Sequence, residues 1–159
     1  MEKSTKYTET LAKVHGVLSG ETDFVANMAN VAAILKSDFD FWWVGFYLIK
    51  NNQLVLGPFQ GPVACTRIDF GKGVCGSSWK RKETIIVADV HLFEGHIACS
   101  EYSNSEIVIP LKKHNEMIGI LDIDSTKFNN FDEVDAAFLE KMMNHLTESS
   151  TINNPIAEE

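Results

Sequence analysis

The residues of this chain best suited to chemistry are its three cysteines and a small set of acids. Cys65, Cys75 and Cys99 are the only cysteines among 159 residues. An odd number argues against a structural disulfide framework and for a reducing compartment, the cytoplasm. Such thiols can be inert core residues, metal ligands or redox groups. Cys65 comes shortly after Gly61-Pro62, Cys75 sits in Gly73-Val74-Cys75-Gly76 at the start of an expected helix, and Cys99 lies in a long irregular stretch. A helix N-terminus lowers a thiol's pKa and loops expose reactive groups, so these flanks favour reactive cysteines. His91, His96 and Cys99 lie within nine residues, with Cys75 preceding them. They lack the paired spacing of a zinc set, and no metal is expected there.

Asp122 and Asp124 end the segment 117–124, which is apolar on both faces and reads as a central strand. Residues two apart on a strand share a face, about 7 Å from one another. Ionised carboxylates beside a core need a partner. The plainer alternative is that they face water or cap the turn at Ser125-Thr126. Glu106 begins the preceding strand, and the intervening turn decides whether it joins them. A two-residue loop at His114-Asn115 would set Glu106 opposite Ile123, on the wrong face. A three-residue loop would set it opposite Asp122, and a bulge near Pro110 would have the same effect. A trio of this kind suits an ammonium group, and mutual repulsion keeps at least one acid protonated as a donor. Alternation in 42–49 puts Trp43 and Tyr47 on one face and Trp42 and Phe46 on the other. Core packing is their default role, and one face could instead line a pocket.

These groups must be positioned by a fold that the hydrophobic pattern outlines. Tyr7, Leu11, Val14 and Leu18 mark a first helix, and Phe24, Met28, Val31 and Leu35 a second with Thr22 as N-cap. Strands are expected at 42–49, 53–56, 66–70, 84–88, 106–111 and 116–124, with a short helix at 74–82. A last helix over 132–146 would bury Val134, Phe138, Met142 and His145, leaving 147–159 as a polar, frayed tail. The class is α+β: one domain over 1–146, with a core at 41–125 and flanking helices at 5–37 and 132–146. With 14 Lys and Arg against 22 Asp and Glu, the formal charge of −8 disfavours nucleic acid and anionic membranes. The longest apolar run, 41–49, falls well short of the roughly 20 residues of a membrane span. The opening residues read as an amphipathic segment rather than a signal region.

Taken together, Gly57-Pro58-Phe59-Gln60-Gly61, Gly73-Val74-Cys75-Gly76, Asp89-Val90-His91, Gly95-His96-Ile97-Ala98-Cys99, Ser103-Asn104-Ser105-Glu106-Ile107-Val108 and Gly119-Ile120-Leu121-Asp122-Ile123-Asp124-Ser125 resemble the free methionine-(R)-sulfoxide reductases. These are small GAF-domain enzymes, so the resemblance implies a central antiparallel sheet with N- and C-terminal helices packed against it. It further implies that Cys99 is the nucleophile and that Cys65 and Cys75 recycle it. Glu106, Asp122 and Asp124 would hold the substrate, and Trp43 and Tyr47 would line its pocket. One departure stands out: Ser100 follows the nucleophile where the family leads one to expect an acid.

On this reading Cys99 attacks free methionine sulfoxide and becomes a sulfenic acid. Cys65, preferred over Cys75, condenses with it, and a thioredoxin-type reductant opens the disulfide. No cofactor is expected. A homodimer is an open expectation, since sheet-and-helix domains of this kind commonly pair. The alternative is a GAF module that senses a small molecule or redox state without catalysis. Such modules usually accompany an output domain, for which 159 residues leave no room.

Overall fold

The computed structural model describes residues 1–96, 99 and 101–153. Two helices, α1 (Lys3–Leu18) and α2 (Phe24–Phe39), lead into the hairpin β1 (Trp43–Lys50) and β2 (Gln53–Gln60). Then come β3 (Arg67–Asp69), α3 (Gly73–Arg81) and β4 (Ile85–Val87), with a 3₁₀ turn at Val90–Leu92. A second hairpin, β5 (Ser105–Lys113) and β6 (Glu116–Ser125), precedes α4 (Glu133–Ser149). The strands form one sheet in the order β3-β2-β1-β6-β5-β4, and every pairing is antiparallel.

The sheet separates two apolar layers. On one side Val44, Phe46, Ile107, Ile109, Leu121 and Ile123 pack with buried residues of α1, α2 and α4. On the other, Trp43, Tyr47, Val108 and Ile120 pack with Val74 and Cys75 of α3 and with Ile85 and Val87. The two central strands, β1 and β6, are therefore covered on both faces, as their near-continuous apolar sequences require. No helix among the described residues is long and apolar enough to cross a membrane.

Several boundaries differ from the sequence expectation, each for a local reason. Asp23, not Thr22, caps α2, because its carboxylate accepts the Ala26 N–H at 2.8 Å. Helix α4 buries Ala136, Leu139, Met142, Met143 and Leu146, whereas Val134 is 37% exposed and His145 half-buried. The buried carboxylate of Asp135 fixes that rotation: it accepts from Tyr7 Oη at 2.6 Å and Lys3 Nζ at 2.7 Å, and closes a capping box with Asp132. Nor does the chain fray from residue 147. Thr147 and Ser150 are buried, Ser150 Oγ donates to Leu146 O, and the Thr151 N–H donates to Thr22 O. Of the expected tail, residues 154–159 lie outside the described residues.

Candidate active site

Strand β6 supplies the acids, and the β5–β6 hairpin sets their register. His114 and Asn115 both have positive φ (50° and 66°), the conformation of a tight two-residue hairpin turn, so Lys113 pairs with Glu116. Two pairs further on the register shifts: Leu111 faces Gly119 while Lys112 faces Met117, leaving Ile118 as the extra residue of a bulge. Of the alternatives open in the sequence, the two-residue loop occurs, and a bulge next to Pro110 brings the three acids to one face. Glu106 nevertheless pairs with Asp124, not Asp122, and Asp122 pairs with Val108. All three carboxyls point to the face away from α1, α2 and α4.

They line a cavity of about 60 Å³ together with Trp42, Trp43, Tyr47, Cys75, His96, Cys99 and Ser103. At roughly 10–15 Å³ for each water, this space suits a few waters or one small solute. Glu106 and Asp122 are 6% and 7% exposed. Burial pushes both acids up from the usual carboxylate range, and the neighbouring charges of Asp122 and Asp124 push Glu106 further. Asp124 is raised by burial and then by Asp122, although it accepts a 2.9 Å hydrogen bond from Ser103 Oγ. All three acids thus favour the protonated, hydrogen-bond-donating form more than a free carboxylate does. Asp122 Oδ1 is buried without a hydrogen-bond partner among the described residues.

The aromatic wall comes from β1. Trp43 Nε1 donates to Pro62 O at 3.0 Å and Tyr47 Oη donates to Cys65 O at 2.7 Å, so the strand holds the 62–65 loop over the cavity. Gly45 makes this possible, because a Cβ there would strike the Trp43 ring and Phe59 Cβ. Trp42 departs from the expected alternation. It precedes β1, anchored by its backbone N–H to Asp124 O at 3.0 Å, and lines the same cavity as Trp43. Its indole Nε1 is buried without a hydrogen-bond partner among the described residues, and its ring lies 5.7 Å from that of Tyr102. Ser103 was likewise missed: its only sequence signal is membership of the 103–108 motif, and its contact with Asp124 spans two distant segments.

The cysteines divide into a bonded pair and a free thiol. Cys65 and Cys99 form a disulfide, with Cα atoms 5.5 Å apart, and Cys99 lines the cavity. Cys99 is exposed. The stretch carrying it is tied at its ends, where Val90 N donates to Asn104 O and Asn104 N to Ser125 O. Ile97, Ala98 and Ser100, including the departure after Cys99, lie outside the described residues. Cys75 is free and buried at the start of α3, its Sγ donating to Glu106 Oε1 at 3.8 Å. The helix does not activate it as the sequence suggested. Burial and the charges of Asp122, Glu106 and Asp124 push its thiol well up. Of the two histidines, His91 pairs with Asp89 at 2.7 Å, while burial lowers the pKa of His96.

An antiparallel sheet with α1, α2 and α4 on one face, and α3 with an acid- and thiol-lined cavity on the other, defines a small α+β domain. The profile of the GAF domain family matches residues 21–148, and the chain belongs to that family. It is 54% identical over 142 residues to GAF domain-containing protein A of Dictyostelium discoideum, covering 89% of this chain and 90% of that one. It is 46% identical over 147 residues to the free methionine-R-sulfoxide reductase of Escherichia coli, covering 92% and 89%. Its fold superposes with a TM-score of 0.92 on the Neisseria meningitidis free methionine-R-sulfoxide reductase solved in complex with its substrate. That pair is 48% identical, covering 94% of this chain and 90% of the other.

Proposed function

We propose that this chain reduces free methionine-(R)-sulfoxide to methionine, with Cys99 as nucleophile and Cys65 as the thiol that resolves it. The observation that carries the reading is the Cys65–Cys99 disulfide, whose Cys99 lines the cavity that also holds Glu106, Asp122 and Asp124. Free methionine sulfoxide presents an ammonium, an S-methyl group and a polar sulfoxide oxygen. Buried carboxyls match the ammonium, Trp43 and Tyr47 match the S-methyl group, and a protonated carboxyl can donate to the oxygen. A protein-bound residue has an amide in place of the ammonium, so the acids select the free amino acid.

In the proposed cycle a carboxyl protonates the sulfoxide oxygen while the Cys99 thiolate attacks the sulfur, forming a Cys99–sulfur bond. The hydroxyl then migrates to the Cys99 sulfur as the S–O bond and that new bond break, so Cys99 becomes a sulfenic acid and methionine leaves reduced. The Cys65 thiol then displaces water and forms the disulfide seen here. A thioredoxin-type reductant returns both thiols by exchange, which places the cycle in the cytoplasm.

The test follows consumption of the free R and S sulfoxides with a thioredoxin system. Loss of the R isomer alone is expected, and Cys99→Ser should abolish it while substrate still binds. Consumption of neither isomer would favour a sensing module, and retained turnover in Cys99→Ser would remove that residue from its role.

A further inference from the structure

We propose that Cys75, Glu106 and Asp122 also form a binding site for a thiophilic divalent cation, Zn²⁺ above all, occupied in competition with the substrate's ammonium group. The competition rests on the function proposed above; the site itself rests on geometry. One ligand atom from each of the three residues lies within 4.8 Å of the other two, and Cys75 Sγ is already 3.8 Å from Glu106 Oε1. Zinc bonds of about 2.0–2.3 Å place neighbouring ligands roughly 3.5 Å apart, so closure on an ion needs an inward movement of about 1 Å.

A second observation, on one of these acids, points to a ligand. Asp122 lines the cavity, is 7% exposed, and its Oδ1 is buried with no hydrogen-bond partner among the described residues. An unpaired buried carboxylate oxygen is costly unless a ligand satisfies it. Lys72 shares the cavity wall but is exposed. One thiol and two carboxylates suit zinc or cobalt, whereas magnesium and calcium prefer all-oxygen shells. Binding would displace the protons that these groups hold, leaving the remaining coordination positions to water. Of the set His91, His96, Cys99 and Cys75 that the sequence suggested and its spacing did not support, this site keeps only Cys75 and replaces the rest with carboxyls.

The disulfide gives the experiment its selectivity. In the oxidised full-length protein Cys65 and Cys99 are bonded to each other, so Cys75 is the only free thiol of the chain. Titration of that protein with Co²⁺, a spectroscopic stand-in for zinc, should produce a thiolate-to-metal charge-transfer band saturating at one equivalent. Zn²⁺ and excess free methionine sulfoxide should each erase it, and Mg²⁺ should not. Cys75→Ser should lose the band, and Asp122→Asn should weaken binding by about tenfold or more. Should the serine variant fold poorly, Glu106→Gln, which keeps the thiolate, should weaken cobalt binding as Asp122→Asn does. Absence of the band in the native protein or its persistence in Cys75→Ser would overturn the cation site, and indifference of the band to saturating sulfoxide in a protein that consumes the sulfoxide would overturn the competition. The spectrum is recorded without turnover. An inactive protein that binds cobalt would refute only the function, and an active one that does not bind it would refute only the metal site.

Discussion

Opening the Cys65–Cys99 bond should destabilise the fold by an amount that follows from chain length. The two cysteines are 34 residues apart. Closing a loop of that size removes about 13 cal/mol/K from the unfolded chain, or about 4 kcal/mol at 25 °C. The 62–65 loop keeps its hydrogen bonds to Trp43 and Tyr47, and the Val90–Asn104 tie does not depend on the bond. Loop closure, rather than lost packing, should therefore dominate the difference. For 159 residues at about 2.1 cal/mol/K each, the entropy of unfolding is about 330 cal/mol/K, so reduction should lower Tm by about 11 °C. Calorimetry with and without a phosphine reductant measures this directly. Cys65→Ser and Cys99→Ser should match the reduced protein and lose all redox dependence, while Cys75→Ser should keep it. A shift below about 3 °C, or a redox difference that vanishes in Cys75→Ser, would refute the reasoning.

Two further outcomes follow from the site. Glu106, Asp122 and Asp124 have folded pKa values above the unfolded value of about 4, so across that interval the folded state holds more protons than the unfolded one. Their contribution to stability is therefore fullest below about pH 4 and declines as pH rises through the folded values. Glu106→Gln should flatten that decline and raise the urea midpoint at pH 8, and an unchanged slope in the variant would contradict the protonation assigned here. Gly45→Ala should cost about 1–3 kcal/mol by overpacking against Trp43 and Phe59, with loss of activity as the indole shifts; a neutral effect in urea unfolding would show that the ring is free to move.

What the sequence revealed and what it hid divide along physical lines. The alternation in 42–49 and the apolar run before Asp122 marked the two central strands because burial on both faces leaves an unmistakable pattern. The position of Glu106 was not legible to the residue, since a single bulge at Ile118 shifts the register by one, replacing Ile123 with Asp124 as its partner and bringing it to the face of the other two acids. Trp42 escaped because alternation has no force before a strand begins. Cys75 was misread for a different reason. A helix terminus is visible in sequence, but the acids packed against the thiol arrive from β5 and β6, and their combined effect outweighs the helix. The buried face of α4 was displaced by Asp135, a polar residue whose partners Tyr7 and Lys3 lie at the other end of the chain.

The site also separates two tasks that conflict. Holding protonated carboxyls in place requires a rigid, dry environment, and Asp122 and Asp124 sit on a central strand paired on both sides, with Glu106 on its neighbour. In the proposed reaction, redox exchange instead needs a sulfur that meets the substrate, then Cys65, then an external dithiol. Cys99 stands outside helix and strand and is exposed, and Cys65 sits on a loop held by two side-chain hydrogen bonds rather than by a ladder. Moving the acids to the loop would release them to water and return their pKa values toward normal, removing the proton donor. Moving the cysteines onto β6 would bury them beside those acids, where Cys75 already shows the result: a thiol held in its unreactive form.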